Sequence, residues 1–489
     1  MAAMVACTDS SGGVTAPIEP TPAQVRIVGY KEHVQIGSRQ QLQVDVTGME
    51  SHALFFGFYT DESSQTIDPL AKYIAPIDAN GNVVANSVGS VSVIARSQQH
   101  TDKIDTVRIY VDPPEASTRL RFTMIAADEQ RGCGISVTSA TFCWGSNQGS
   151  ILGAASISRC GDGYRDYDCS PLPVLIAGTP SFAQLAVGNQ HTCGLTQAGV
   201  VYCWGRSQFG EVGTGLPTPS ISPTQVPISE KVVSLSATPN RTCAVTESGK
   251  LFCWGVLRGS TYVDPDSVGK CLSRGACAAF PTLIDGLPPV VAVSTSRSHT
   301  CALTLDGAVY CWGLNFWGEL GDGTFNSSNS PVRVVTSATF KSISAGGSLT
   351  CALDDQGRAF CWGISGYPTD QCGTPNVNCA ALPLEVEASL RFKQISAQTG
   401  GVCALSTDDR IYCLGQGPLV GLPLGTTVTS FTQVQPPGPY ATLSVGGRTC
   451  AVAVDGLGYC WGNTGAGESG TGQLRHLDKP TVIEGPLQM

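Results

Sequence analysis

Residues 299–324 read HTCALTLDGAVYCWGLNFWGELGDGT, and the way this stretch recurs along the chain decides the fold. Between Cys301 and Cys311 apolar residues alternate around Asp306-Gly307, a dipeptide suited to a tight hairpin turn. Two short strands therefore fold back on each other and set the two cysteines face to face. The C-x9-C spacing recurs at Cys133/Cys143, Cys193/Cys203, Cys243/Cys253, Cys301/Cys311, Cys351/Cys361, Cys403/Cys413 and Cys450/Cys460, with a period of 47 to 60 residues. Ahead of each hairpin sit two more strand-like runs, as in PVRVV (331–335) and FKSISAG (340–346) before Cys351. Four strands per period predict a propeller blade, and seven periods a seven-bladed ring.

A P-x-x-V-like strand precedes units two to six at Pro173, Pro223, Pro281, Pro331 and Pro383, and the FTQV run ending at Val434 serves unit seven. Unit one lacks such a strand, whereas residues 479–484, beginning KPTVI, follow the seventh hairpin with no hairpin of their own. This strand is expected to complete the first blade and close the ring, removing two exposed sheet edges.

Cysteine usage points to bridges. Of 21 cysteines, the twenty from Cys133 onward fall into ten close pairs, a pattern of oxidising compartments. Zinc is the competing reading, but there is no C-x-x-C knuckle. The three pairs outside the hairpins, Cys160/Cys169, Cys271/Cys277 and Cys372/Cys379, lie in insertions of units one, three and five. All three follow CWG and precede the next P-x-x-V strand, so ring symmetry places them on one face.

The remaining cysteine, Cys7, stands in MVAC before TDSSGGVTAPIEPTP. Residues 1–20 thus look like the end of a bacterial lipoprotein signal with a flexible tether, Cys7 being the lipidated residue; a free thiol in a tail is the alternative. Residues 21–113 contain short alternating runs, among them Leu42 to Val46, Leu54 to Tyr59 and Val107 to Val111, parted by turns such as Asn80-Gly81. This predicts a small β-sandwich, and VQIGSRQQLQVDVTG with GSVSVIARS and TVRIYV resembles bacterial Ig-like domains. Asp112-Pro113-Pro114 then marks a boundary. The expected organisation is all-β: an Ig-like sandwich followed by a propeller over 119–489.

The seven hairpins with their CWG and G-x-L-G-x-G text resemble the RCC1 repeat family over about three quarters of the chain. Members of that family include a nucleotide exchange factor, plant photoreceptor modules and a secreted bacterial β-lactamase inhibitor, so the resemblance implies protein recognition by a propeller face. Together with the cysteines it suggests a bacterial secreted type, extracellular or on the cell surface, perched on a lipid anchor in the outer membrane. An adhesion or protein-binding scaffold is the expected role, with a surface-layer component or a secreted enzyme inhibitor as alternatives. The partner would be a protein or surface glycan, or further copies of the chain.

Other classes are disfavoured. A net charge of −9 with no basic run argues against nucleic acid. GELGDGT (318–324) lacks the G-K-[ST] ending of a phosphate loop, and no catalytic constellation can be defended, so neither enzyme chemistry nor a cofactor is expected. His191 and His299 precede a cysteine by two, but the equivalent residues Arg131, Arg241, Leu349, Gly401 and Arg448 cannot ligate a metal as a set. Tryptophan follows the second cysteine in six units, with Leu414 in the other, a placement that favours packing between blades over a sugar platform.

Candidate contacts come from loops on the rigid scaffold. The insertion CGDGYRDYDC offers Tyr164, Arg165 and Tyr167, while Asp162, Asp166 and Asp168 have no EF-hand spacing and read as a solvated acidic loop. The loop after Trp312 offers Phe316 and Trp317, with Phe209 the counterpart of Trp317 in unit two.

Overall fold

The computed structural model is described over residues 24–35, 38–47, 54–59, 75, 77–85, 89–98, 103–112, 119–155, 158–161, 166–215, 219–257, 277–364, 379–398, 400–417, 420–423, 425–435, 438–462, 467–474 and 476–486. The tail holding Cys7, the insertion residues Asp162, Tyr164 and Arg165, and Cys271 and Cys372 lie outside the described residues.

From residue 119 the described chain forms seven antiparallel sheets of four strands or, in the first, five. Blade four shows the pattern: Val290–Thr295, His299–Thr304, Val309–Gly313 and Ser328–Arg333 pair in that order. Its Asp306-Gly307 turn requires glycine, because Gly307 adopts φ +81° and a Cβ there would lie 3.1 Å from the Phe340 carbonyl oxygen. The first strands of successive blades neighbour one another around the ring, with Tyr440–Val445 of blade seven returning to Phe122–Ala127 of blade one.

Each hairpin is bridged between directly paired residues. The bridges are Cys133–Cys143, Cys193–Cys203, Cys243–Cys253, Cys301–Cys311, Cys351–Cys361, Cys403–Cys413 and Cys450–Cys460, with Cα atoms 4.0 or 4.1 Å apart and all fourteen cysteines buried. The strand carrying the second cysteine, however, departs from the regular alternation expected of it. Its register against the outer strand shifts just past the bridge, between Cys143 and Gly145, Cys203 and Gly205, Cys253 and Gly255, Cys311 and Gly313, Cys361 and Gly363, Cys413 and Gly415, and Cys460 and Gly462. The residue passed over is the tryptophan of CWG, or Leu414 in blade six. The glycine after it makes this bulge: Gly205 adopts φ +106°, and a Cβ there would lie 2.5 Å from the Gln190 carbonyl oxygen. CWG is therefore a bulge signal as well as a packing one.

The innermost strands are joined by one repeated device. The run FKSIS places a serine whose hydroxyl accepts the backbone N–H of the next blade's first strand: Ser236 from Thr295 (3.0 Å), Ser294 from Ala345 (2.9 Å), Ser344 from Ala397 (2.9 Å), Ser396 from Val445 (3.1 Å) and Ser444 from Ala127 (3.1 Å). Each bond satisfies a main-chain donor that the sheet ladder of its own blade leaves over. Blades one and two carry Ala126 and Ala186 at this position.

Ring closure departs from the sequence expectation. The C-terminal strand Leu477–Val482 pairs with Gly458–Gly462, in the register Tyr459↔Val482 and Cys460↔Thr481, and completes blade seven. The outer place in blade one is held by Asp166–Leu175, which contains Pro173. Each P-x-x-V strand thus closes the sheet of the hairpin before it, because the chain leaving that hairpin returns antiparallel beside its last strand. The seam is joined instead by side chains and turns. Arg119 meets Glu484 at 3.0 Å, Phe122 N–H donates to the Gly456 carbonyl (2.7 Å), and Phe122, Trp144, Cys450 and Ile483 share an apolar cluster.

The described strands before residue 113 make three small sheets. Gln24–Val28 pairs with Gln43–Thr47, Arg39–Gln41 with Asn82–Val84, and a four-stranded sheet runs His33–Gln35, Ile104–Asp112, Gly89–Ser97, Leu54–Tyr59. Their core of Val25, Ile27, Leu42, Val91, Val93 and Ile109 extends to Leu172 on the outer strand of blade one.

Candidate functional site

Successive antiparallel strands alternate in direction, so the turns between strands one and two and the connections between strands three and four share one face of the ring. The stapled insertions enter there at matching register: Cys169 opposite Ser146, Cys277 opposite Val256 and Cys379 opposite Ile364. In blade one the insertion adds the strand Ser158–Gly161, joined to Asp166–Leu175 by ladder pairing and the Cys160–Cys169 bridge.

On this face the G-E-x-G turns lock one blade to the next. At the blade two to three junction, the Glu211 carbonyl accepts from Trp254 Nε1 (2.8 Å) and Thr242 Oγ1 (3.0 Å), and the Glu211 carboxylate accepts from Phe209 N–H (2.7 Å). Blade four repeats the arrangement on blade five: the Glu319 carbonyl accepts from Trp362 (2.9 Å) and Thr350 (3.0 Å), and its carboxylate from Trp317 N–H (2.8 Å). At the seam the Glu468 carbonyl accepts from Trp144 (2.9 Å) and from Arg448 Nη1 (2.9 Å). In each case the end of the turn bonds the outer strand of the following blade, Gly215 to Ala279, Gly323 to Ala381 and Gly472 to Pro171. The six tryptophans that follow a hairpin cysteine are buried, Trp312 at 4% exposed and the other five at 0%, as befits packing between blades.

In five of the seven hairpins the residue two before the first cysteine completes these junctions. His191 Nε2 lies 2.7 Å from Thr242 Oγ1, and His299 Nε2 2.7 Å from Thr350 Oγ1. Because each threonine hydroxyl donates to a glutamate carbonyl, each histidine is the donor to it, through Nε2–H. Burial pushes both imidazoles down to about 3, so they stay neutral. The arginines serve similarly: Arg131 donates to the Gly188 carbonyl of blade two (2.7 Å), Arg448 to the Glu129 carbonyl of blade one, and Arg241 to Thr300 Oγ1 of blade four. Sequence reasoning set aside the metal reading but missed the bridges, since each partner lies on the neighbouring blade, about one period away or, for Arg448, across the seam. The His-Thr and Arg-Thr pairs before the cysteine were the available signal.

At the axis, the turns line a polar cavity of about 180 Å³ that includes Asp128, Glu129, Thr238, Ser296 and Arg297. Arg297 of blade four reaches Glu129 of blade one at 2.9 Å. Burial pushes the Asp128 carboxyl up to about 6 and the Glu211 carboxyl up to about 7, and raises Glu319. Among the described residues no group of three or more His, Cys, Asp or Glu could hold a metal ion.

The candidate contacts divide. Phe316 stands 66% exposed, Trp317 and Tyr167 are half-buried, and Phe209 is buried at 7%. Phe209 is therefore corrected from a contact to a packing residue: its turn folds onto the next blade and takes the ring inside.

The seven sheets and their junctions make an RCC1-like β-propeller. Family models of the regulator of chromosome condensation (RCC1) repeat match residues 198–245 and 306–353, and 182–211, 290–318 and 340–367. The chain is 24% identical over 342 residues to the ultraviolet-B receptor UVR8 of Arabidopsis thaliana, covering 68% of this chain and 64% of the receptor. It is 27% identical over 368 residues to the human E3 ubiquitin-protein ligase HERC2, covering 71% of this chain but 7% of the ligase. Its fold is similar to that of Prp20p from Saccharomyces cerevisiae, with a TM-score of 0.58 and 20% identity over 76% of this chain and 90% of Prp20p, a protein described with its binding to Gsp1p and histones.

These relatives are plant, human and yeast proteins: a light receptor, a ubiquitin ligase and Prp20p. They overturn the expected bacterial secreted type, and with it the extracellular, cell-surface and outer-membrane placement.

Proposed function

We propose that the protein is a scaffold that binds another protein through the face bearing the insertions and G-E-x-G turns. The supporting observation is the matched entry of three cysteine-bearing insertions, at Cys169, Cys277 and Cys379, on the face where Phe316 stands exposed. Rigid backing lowers the ordering cost of a binding loop, and the blade-four loop has it: Asn315 Nδ2 donates to the carbonyls of Thr324 (3.0 Å) and Asn326 (3.1 Å) while its Oδ1 accepts from Leu320 N–H (2.9 Å). Phe316 is the aromatic anchor, with Trp317 next to it in the sequence, and the blade-one insertion carrying Tyr164, Arg165 and Tyr167 supplies further contacts in this reading. In this reading Cys271/Cys277 and Cys372/Cys379 staple the second and third insertions, and residues 21–113 form an Ig-like arm seated on Leu172 of the propeller over 119–489. A protein is the partner class, as it is for Prp20p.

Phe316→Ala should weaken partner capture about tenfold or more without lowering the melting temperature. Leu305→Ser, on a hairpin turn of the opposite face and 76% exposed, should leave capture unchanged. Loss with Leu305→Ser and none with Phe316→Ala would assign recognition to the wrong side of the ring.

A further inference from the structure

Among the described residues, two of the glutamate turns enclose a carboxylate without a buried guanidinium partner, and one of them carries Phe316. We propose that these turns make recognition by this face pH-sensitive, held tighter at low pH and loosened as the pH rises. The inference rests on the reading of this face as the binding face and names its regulation.

The geometry couples carboxylate to loop directly. Glu319 is 1% exposed and Glu211 2% exposed. The Glu319 carboxylate holds the N–H of Trp317, the residue beside Phe316, while its carbonyl is pinned to blade five by Trp362 and Thr350. The groups facing Glu319 are the Ser348 hydroxyl, Thr350 and Trp362 of blade five, with neutral His299 behind Thr350. Asp322 is the other charged side chain of the same loop and is tied to Thr324. Glu211 faces Thr242 and Trp254 of blade three, with neutral His191 behind Thr242. Its charged neighbour is half-buried Arg206 on its own loop, which donates to Gln190 Oε1 at 2.8 Å. The seam turn differs, since buried Arg448 lies 3.9 Å from the Glu468 carboxylate.

A protonated carboxyl sits in such an enclosure at little cost, whereas an ionised one without a counter-charge draws in water or swings out. Swinging out breaks the bond to the Trp317 N–H, and entering water loosens the packing around it, so that the loop that presents Phe316 fluctuates. Binding then includes the cost of ordering that loop again.

The test follows amide exchange of 206–215 and 314–324 in the full chain between pH 5.5 and 8, corrected for intrinsic rates, beside partner capture over the same range. Wild type should lose protection several-fold in both loops as pH rises. Glu319→Gln should abolish the change in 314–324, Glu211→Gln in 206–215, and Glu247→Gln, on an exposed turn, should alter neither. Flat protection in wild type, or an unchanged slope in the Gln variants, would overturn the switch, as would pH-independent capture that still depends on Phe316. Capture indifferent to Phe316→Ala at every pH would instead sink the binding-face reading while leaving the loop measurement intact.

Discussion

Tyr440 opens the first strand of blade seven, where other blades have Phe122, Phe182, Val232, Val290, Phe340 and Phe392. Its ring is 1% exposed and its hydroxyl has no hydrogen-bond partner among the described residues. A buried hydroxyl without a partner costs about 1–3 kcal/mol, so Tyr440→Phe should stabilise the protein by about 1 kcal/mol in a denaturant titration. Glu211 sets a pH dependence of opposite sign to the usual carboxylate. Burial lifts it from 4.5 to about 7, so the folded chain keeps a proton that the unfolded chain releases near 4.5. Stability from this residue is fully present below that pH and declines as pH rises towards about 7. Glu211→Gln should flatten this part of the melting profile. The structural role of the tryptophans was legible in the sequence because their place beside the cysteine never varies. The exposure of Phe209 was not, since burial of a loop residue depends on which neighbouring blade the loop meets.

The strands themselves could be read from alternation and turn residues, yet their grouping into sheets could not. A repeat gives a cyclic order without saying where the cycle begins, and the proline-bearing strands suit either the blade before or the blade after. The paired residues decide it: Cys311↔Val332 attaches Ser328–Arg333 to its preceding hairpin, just as Cys460↔Thr481 attaches the last strand. Truncation before Leu477 should therefore unprotect backbone amides of Gly458–Gly462 in hydrogen exchange and leave the pairing of Thr141–Ser146 with Asp166–Leu175 in place. Loss of protection in Thr141–Ser146 alone would return the strand to blade one. The bulge after the second cysteine was equally hidden, because a register shift belongs to two strands and only one of them carries CWG. The serine device was present in FKSISAG but silent, because its acceptor role needs the adjacent blade. Ser396→Ala removes the partner of Val445 N–H and should destabilise by about 1 kcal/mol.

Across the whole molecule, the seven straps lie inside the sheets, with every hairpin cysteine at most 2% exposed. A mild reductant with an alkylating reagent should leave these fourteen thiols unmodified under native conditions and label them only in denaturant, as read by mass spectrometry. Labelling of the hairpin cysteines in the folded protein would show that the blades open one at a time. The ring's ends meet through the same tryptophan-to-turn contact found elsewhere, Trp144 to Glu468 standing where Trp254 meets Glu211.

Among the described residues no sheet borrows a strand from the far end of the chain. A stretch of gene encoding one period can thus be duplicated or lost without orphaning half a sheet, and the unit that recombination handles coincides with the unit that folds. Wheels with a different number of spokes are accessible from this one by ordinary unequal crossing-over, provided the junction residues on the two new neighbours still match.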